Sequence, residues 1–245
     1  MSNNLLTENV STPLNGATAA NLEIDTGTGN LTVDELVENS QVLASGALQY
    51  FEKQGRPTEL FSSEGGKATV KLMATAAGRP WFRLPWAACL GGTDWQIHLN
   101  PSVLSEMTAH TGGGNVKLNL PHMALTGVSA DTGGGNMAMI LPEHAADLRV
   151  RARTGGGNIS IEVGDTITGS NTVEANSGAG NVVVEIPRGI AARVDASTGL
   201  GKVLMEPRLS KIGAHLYQSA DYENAVNKLD ITVHSGAGNI SVTTK

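Results

Sequence analysis

Leu148-Arg149-Val150-Arg151-Ala152-Arg153-Thr154-Gly155-Gly156-Gly157-Asn158-Ile159-Ser160-Ile161-Glu162-Val163 decides the fold. Leu148, Val150, Ala152 and Thr154 fall on one side of an extended chain, and the three arginines on the other. Beyond the glycines, Ile159, Ile161 and Val163 again take alternate places. Period two on both arms predicts two half-buried strands joined by a tight corner. The corner phrase is written seven times, at 26–30, 111–115, 132–136, 154–158, 177–181, 198–202 and 235–239. Its central copies recur every 21 to 23 residues, a period that marks stacked-coil architectures.

The inward residue shrinks toward each corner, from Leu or Val to Ala to Thr or Ser, so the chain has room to turn. The glycines are expected to supply positive-φ positions, and the closing Asn tolerates left-handed geometry. A hairpin meander and a parallel β-solenoid both accommodate this unit, the phrase being a hairpin loop in one and a bend between sheets in the other. Side-chain ladders favour the solenoid. One period apart, Asp131 falls beside Arg153 and Arg151 beside Glu174, with no like charges adjacent. Asn115, Asn136, Asn158 and Asn181 align as an asparagine ladder. The expectation is an all-β chain, a parallel β-solenoid of about ten coils with two strands per coil. Val116, Met137, Ile159 and Val182 should form one inward row.

Residues 1–18 are polar and aperiodic, and read as a flexible tail. Residues 19–245 read as a single solenoid domain. Degenerate coils occupy 19–101, regular coils 102–206, and a long arc with the last coil 207–245. Weak echoes of the phrase stand at 45–48, 65–72 and 91–99, where Asp94 extends the polar ladder. The final strand ends at Lys245 without a following cap. The arc at 206–228 or another subunit is therefore expected to cover that end.

Aromatics make up 4% of the 245 residues and glycine 30 of them, so the core must come from stacked Val, Ile, Leu, Ala and Met. The net charge of -6 is spread over both signs. That excludes the basic stripe of a nucleic-acid surface and adhesion to anionic lipid by charge alone. No run approaches the ~18 apolar residues of a spanning helix, and no direct membrane insertion is expected. Met1-Ser2-Asn3-Asn4-Leu5-Leu6 has no basic start or apolar run of an export signal. The chain as written reads as cytoplasmic, and as envelope-associated if an export signal or anchor has been trimmed from it. Cys89 is the single cysteine; it forms no internal disulfide and reads as a small buried hydrophobe.

No reaction is legible. Gly199-Leu200-Gly201-Lys202 lacks the spacing and the Ser/Thr of a phosphate loop. Asn in place of Asp after the glycines argues against calcium at the corners. His110 and His234 share a repeat position but should lie several coils apart. The stripe of Arg149, Arg151 and Arg153 has acidic neighbours and reads as a salt ladder. No catalytic, cofactor-binding or metal residues are assigned. Two candidate interaction surfaces remain. Trp81, Phe82 and Trp86 concentrate aromatics in one arc, a stacking platform for sugar or peptide. Ala138, Ile140 and Val183 make the second strands apolar on their outer side, which calls for a covering arc or another chain.

The phrases, the apolar strands ending in Pro121, Pro142 and Pro187, the strand Trp95-Gln96-Ile97-His98-Leu99, and the late segment Leu216-Tyr217-Gln218-Ser219-Ala220-Asp221-Tyr222 together resemble the bacterial toast-rack family. That family is related to putative-adhesin domains of unknown function. It also resembles the C-terminal domain of membrane regulators of cell-envelope stress. The resemblance spans about residues 20–245 and implies a β-solenoid in a non-enzymatic role. The expected function is a non-catalytic structural or protein-interaction module, with a protein partner or self-association and a link to envelope sensing. The alternatives are a surface adhesin binding glycan through the aromatic arc and, behind it, a β-helix carbohydrate-active enzyme.

Overall fold

A computed structural model describes residues 4–37, 40–75 and 93–245. The chain opens with β1 (Leu5–Pro13), β2 (Ala19–Asp25), β3 (Gly29–Glu35), β4 (Val42–Phe51), β5 (Thr58–Glu64), β6 (Lys67–Met73) and β7 (Thr93–Leu99). The regular stretch supplies β8 (Leu104–Thr111), β9 (Val116–Asn119), β10 (Leu125–Thr132), β11 (Met137–Ile140), β12 (His144–Ala146) and β13 (Arg149–Thr154). It continues with β14 (Ile159–Glu162), β15 (Thr166–Thr168), β16 (Ser170–Ala179) and β17 (Val182–Ile186). The remainder adds β18 (Ala191–Leu200), β19 (Val203–Met205), β20 (Leu209–Lys211), β21 (Leu216–Ser219), β22 (Lys228–Ala237) and β23 (Ile240–Thr244).

Two long sheets face each other across one core. Sheet A runs β1-β4-β7-β3-β9-β11-β14-β17-β23-β19, and sheet B runs β20-β21-β18-β22-β16-β13-β10-β8-β2-β6-β5. Each glycine phrase carries the chain from sheet B to sheet A, so β13 and β14 do not pair with each other. They pair in parallel with their counterparts one coil away. The meander is thereby excluded. The short pair β12–β15 adds a third side beside two of the coils.

The inward rows are continuous. Leu48, Trp95, Leu31, Val116, Met137, Ile159, Val182, Ile240 and Val203 stand in register across sheet A. Across sheet B, the row nearest the corner but one is Leu72, Ile24, Ala109, Ala130, Ala152, Ala175, Val233 and Ala196. Burying one such Val or Ile contributes about 1.5–3 kcal/mol. Small residues near the corner taper the cross-section, as the sequence pattern requires.

The corners explain the phrase. The hydroxyls of Thr132, Thr154, Ser177, Ser235 and Thr198 donate to the carbonyls of Gly114, Gly135, Gly157, Gly180 and Gly238 on the neighbouring coil, at 2.8 to 2.9 Å. Each closing Asn accepts the backbone N–H of the next rung through its Oδ1. The series runs from Asn30 through Asn115, Asn136, Asn158, Asn181 and Asn239 to the N–H of Lys202. Lys202 ends the ladder on the outermost coil, where no further rung needs an acceptor.

The expected positive φ is taken by Gly27, Gly29, Gly180 and Gly238, but the glycines of the three central triple-glycine corners serve a different purpose. Those at 112–114, 133–135 and 155–157 are not among the positive-φ residues. They are required because adjacent corners approach backbone to backbone. A Cβ on Gly114, Gly135 or Gly157 would land on the carbonyl of Gly29, Gly114 or Gly135, far inside contact distance. The middle residues Gly113, Gly134 and Gly156 have nothing within 4 Å of that position. Thr28, Ala179, Leu200 and Ala237 fill the same place in other copies.

Four expectations about organisation are corrected. Residues 1–18 are not a loose tail throughout, since Leu5–Pro13 forms β1, antiparallel to β4. The echo at 45–48 is no coil: Gly46 lies in β4, which runs antiparallel to β7, and β1 pairs antiparallel with β4 to complete a two-strand cap. The echo at 65–72 is a hairpin turn at Gly65 and Gly66, both at positive φ, leading into β6. The coils are also out of chain order at both ends. β2–β3 lies inside β6–β7, and β22–β23 lies inside β18–β19. The strand ending the chain is therefore internal, with Val242 paired to both Val184 and Met205. The 206–228 arc caps β18 through β21 and β20.

The close approach predicts a sharp contrast between adjacent glycines. Gly157→Ala should cost more than about 3 kcal/mol, as overpacking against backbone that cannot yield. Gly156→Ala should change stability by less than about 1 kcal/mol. Urea denaturation of the two variants measures both, and equal losses would contradict this account of the corner.

Candidate functional site

Alternation leaves each sheet one outer face. On sheet A the row nearest the corner is the asparagine ladder. The next reads Gln96, Thr32, Lys117, Ala138, Ser160, Val183, Ser241 and Leu204. Beyond it, Ile140 stands between Asn119 and Glu162. Ala138 and Ile140 are exposed and Val183 is half-buried. The three candidates share a face without forming a closed apolar patch, because Ser160 separates Ala138 from Val183 and Glu162 follows Ile140. The 206–228 arc goes to the end of sheet B and does not cover them. Trp81, Phe82 and Trp86 lie outside the described residues, as does Cys89.

The outer face of sheet B carries a charge network centred on Glu174. Glu174 receives Arg153 at 2.8 Å and Arg151 at 3.5 Å. The hydrogen bond from Arg153 is the main cause holding its carboxyl below the usual carboxylate range, assisted by the charges of Arg151 and Arg153. The expected Arg151–Glu174 adjacency is present, and Glu174 of β16 holds two arginines of the neighbouring strand β13 at once. A shallow groove crosses this face over Gly127, with Glu106 on one side and Arg149 on the other. His110 and His234 share a row but are separated by Asp131, Arg153 and Asn176. Among the described residues, no three His, Cys, Asp or Glu side chains gather as a metal set. No helix there is long and apolar enough to cross a membrane.

A polar cluster at the end of this face was not anticipated. Tyr222, in a short 3-10 turn, is buried to 5% exposure. Its hydroxyl donates to Asp230 at 2.5 Å. The Arg193 guanidinium lies 4.2 Å from its ring centroid and the Lys228 ammonium 4.9 Å. Arg193 also donates to Gln218 and to Glu223. Ser219, buried beside it, accepts the N–H of Ala192. The Tyr-Gln-Ser…Tyr segment is thus a plug: β21 pairs with the last coil while Tyr222 is pinned between cations. Its sequence signal was two tyrosines close together in a chain with 4% aromatics. Asp34 with His98, and Glu35 with His122 at 2.8 Å, tie β3 to its surroundings on sheet A. Each of these groups has a structural partner, and the side chains do not converge on a reacting centre.

The profile of a family described as the N-terminal domain of toast_rack, DUF2154, matches residues 1–162. No curated protein matches the chain. A crystal structure of a putative cell adhesion protein from Clostridium sporogenes superposes with a TM-score of 0.67 at 19% identity, covering 99% of this chain and 100% of that one. A putative adhesin from Bacteroides fragilis is similar at a TM-score of 0.35 and 10% identity, over 98% of both chains. The first likeness establishes a shared fold; the second carries no weight here.

Burial first, then the bond to Asp230, push the Tyr222 hydroxyl from its ordinary 10.0 up to about 12. Because the folded state holds this proton more tightly, its contribution is complete below pH 10 and is lost as pH rises through about 12. Alkaline melting curves should show this extra loss in the wild type and not in Tyr222→Phe. At neutral pH the variant should be about 1–2 kcal/mol less stable, from the lost hydrogen bond. An unchanged alkaline profile would remove Tyr222 from the plug.

Proposed function

The chain belongs to the toast-rack family, and from that premise we propose that it is a non-catalytic interaction module: a rigid stack that offers a flat sheet face to a protein partner. The observation that carries this reading is the outer face of sheet A. Its rows are fixed rung by rung by the inward ladders and the asparagine series, yet no described residue covers the face around Ala138, Ile140 and Val183. A surface ordered by its own backbone costs little conformational entropy when a partner lands on it. From Ala138 through Ser160 and Val183 to Ser241 the row nearest the asparagine ladder carries only small side chains. The cell-adhesion description of the structural neighbour supports a role in contacts between surfaces. An envelope location belongs to the same proposal.

Cross-linking from a photoreactive residue at position 160, between Ala138 and Val183, tests the face in the native cell. The expected result is a discrete cross-linked protein that disappears when Ile140→Lys is introduced. A glycan array run alongside tests the aromatic arc. Glycan binding that survives Ile140→Lys and is lost with Trp81→Ala would replace this reading with the glycan one. Ile140 is 39% exposed, so Ile140→Lys should alter stability by less than about 0.5 kcal/mol. A larger loss in thermal melting would mean that the site is packed core rather than a face.

A further inference from the structure

Gly127, in the middle of the stack on β10, is a glycine that the backbone does not require. It is not at positive φ. A Cβ there would meet Glu106 Cγ at 3.4 Å, Glu106 Oε1 at 3.6 Å and the Arg149 carbonyl at 3.8 Å, all ordinary contacts. The corner glycines, by contrast, have a neighbouring carbonyl in that place. Glycine inside a strand weakens it and marks sites where a ligand or another backbone comes close; here no other backbone does. The residue before it is also unusual. Against β8 the register slips between Leu125 and Gly127, so Thr126 is the extra residue of a β-bulge in an otherwise regular ladder. Bulges re-aim side chains beside functional sites.

The missing side chain shapes the surface. Gly127 and Ser129 form a floor between Glu106 and Thr108 of β8 and Arg149 and Arg151 of β13. The two walls stand two strand spacings apart, roughly 9.6 Å. The groove has a volume of about 550 Å³ and widens toward Thr172 and Thr232. Its apolar lining residues, Met107, Val128, Val150 and Val173, are buried in the core, so it offers polar groups to a ligand. Five charged residues line it: Glu106, Arg149, Arg151, Glu174 and Asp230. Arg151 pairs with Glu174, and Asp230 accepts the Tyr222 hydroxyl. Glu106 and Arg149 are left without a hydrogen bond or ion pair among the described residues, although they flank the same glycine.

That set of groups selects a ligand chemistry. An apolar ligand finds no apolar side chain to cover. A simple anion meets three carboxylates along with the arginines. A ligand rich in hydroxyls fits both walls, because each hydroxyl donates to a carboxylate and accepts from a guanidinium. Hydrogen bonds to charged partners are the stronger kind, and the hydroxyls of Thr108, Ser129 and Thr172 add neutral ones. We propose that the groove over Gly127 is a saccharide site, with Glu106 accepting from sugar hydroxyls and Arg149 donating to sugar oxygens across the floor. The site lies on sheet B and uses none of Ala138, Ile140, Val183 or the aromatic arc, so its failure and the failure of face docking on sheet A are distinguishable.

A glycan array followed by NMR titration of the full chain tests it. The probes are neutral, amino and uronic-acid oligosaccharides, with free amino acids as the competing class. The expected result is saturable oligosaccharide binding that shifts the amides of Gly127 and Ser129. Arg149→Ala and Glu106→Gln should each weaken it at least about tenfold, whereas Trp81→Ala and Ile140→Lys should leave it unchanged. Gly127→Val fills the floor and should abolish binding. Because the strand tolerates a side chain there, the same variant should raise the melting temperature by about 1–4 °C. A lowered melting temperature would make the glycine structural and overturn the proposal. So would the absence of any saccharide whose binding depends on Arg149, or binding that survives Gly127→Val. Shifts at these amides with free amino acids alone would assign a zwitterion site instead and overturn it as well.

Discussion

The structure depends on how closely two corners can approach. Successive coils must sit one strand spacing apart along their whole perimeter, about 4.8 Å, and a side chain at the bend would hold them apart. Glycine at the first and third corner places removes that obstacle. Threonine or serine before the corner then reaches across to the neighbouring glycine carbonyl, and asparagine after it accepts the next rung's N–H. Three residue choices thus join the bends as firmly as the strands, and the inward ladders of Val, Ile, Met and Ala follow from the register the corners set. A net hydrogen bond is worth about 0.5–1.5 kcal/mol, so the repetition along the stack matters more than any single corner.

The same logic fixes what lies outside. Once register is set, every second residue faces solvent in a straight row, and chemistry on the surface is organised by rung rather than gathered in a cleft. Glu174 can serve Arg151 and Arg153 because they are two residues apart on one neighbouring strand. Polar groups spread this way satisfy each other pairwise. That arrangement suits a surface that is contacted more than one that transforms a bound molecule.

The regular middle of the chain was legible because neighbours in space are there neighbours in sequence at one period. Ile159 and Val182, or Asp131 and Arg153, could be paired by counting. The ends were not legible for the same reason. Leu31 pairs with Val116 across 85 positions of chain, and Ile240 with Val182 across 58, so no fixed period connects them. Their corner phrases at 26–30 and 235–239 were visible, but a phrase marks a coil without saying where in the stack it goes. The capping pairs β1–β4 and β20–β21 are not legible because capping strands do not repeat. Leu5–Pro13 is mostly exposed and polar, which hides the alternation of a strand whose outer edge is free. The tyrosine plug carries no periodic signal, because its role rests on Tyr222 packing against Arg193 and bonding Asp230, neither of which lies one period away.

Coil order is the claim on which the rest stands, and cysteine pairs on the outer face of sheet A test it most directly. Thr32 and Lys117 are cross-strand partners in the swapped arrangement, whereas Gln96 would be the partner of Lys117 if coils followed chain order. In a Cys89→Ser background, mild oxidation should link Thr32→Cys to Lys117→Cys rapidly without loss of melting temperature, since facing strands place Cα atoms within disulfide range. Gln96→Cys with Lys117→Cys should remain reduced. Efficient linkage of the second pair, with none of the first, would contradict the swapped stack.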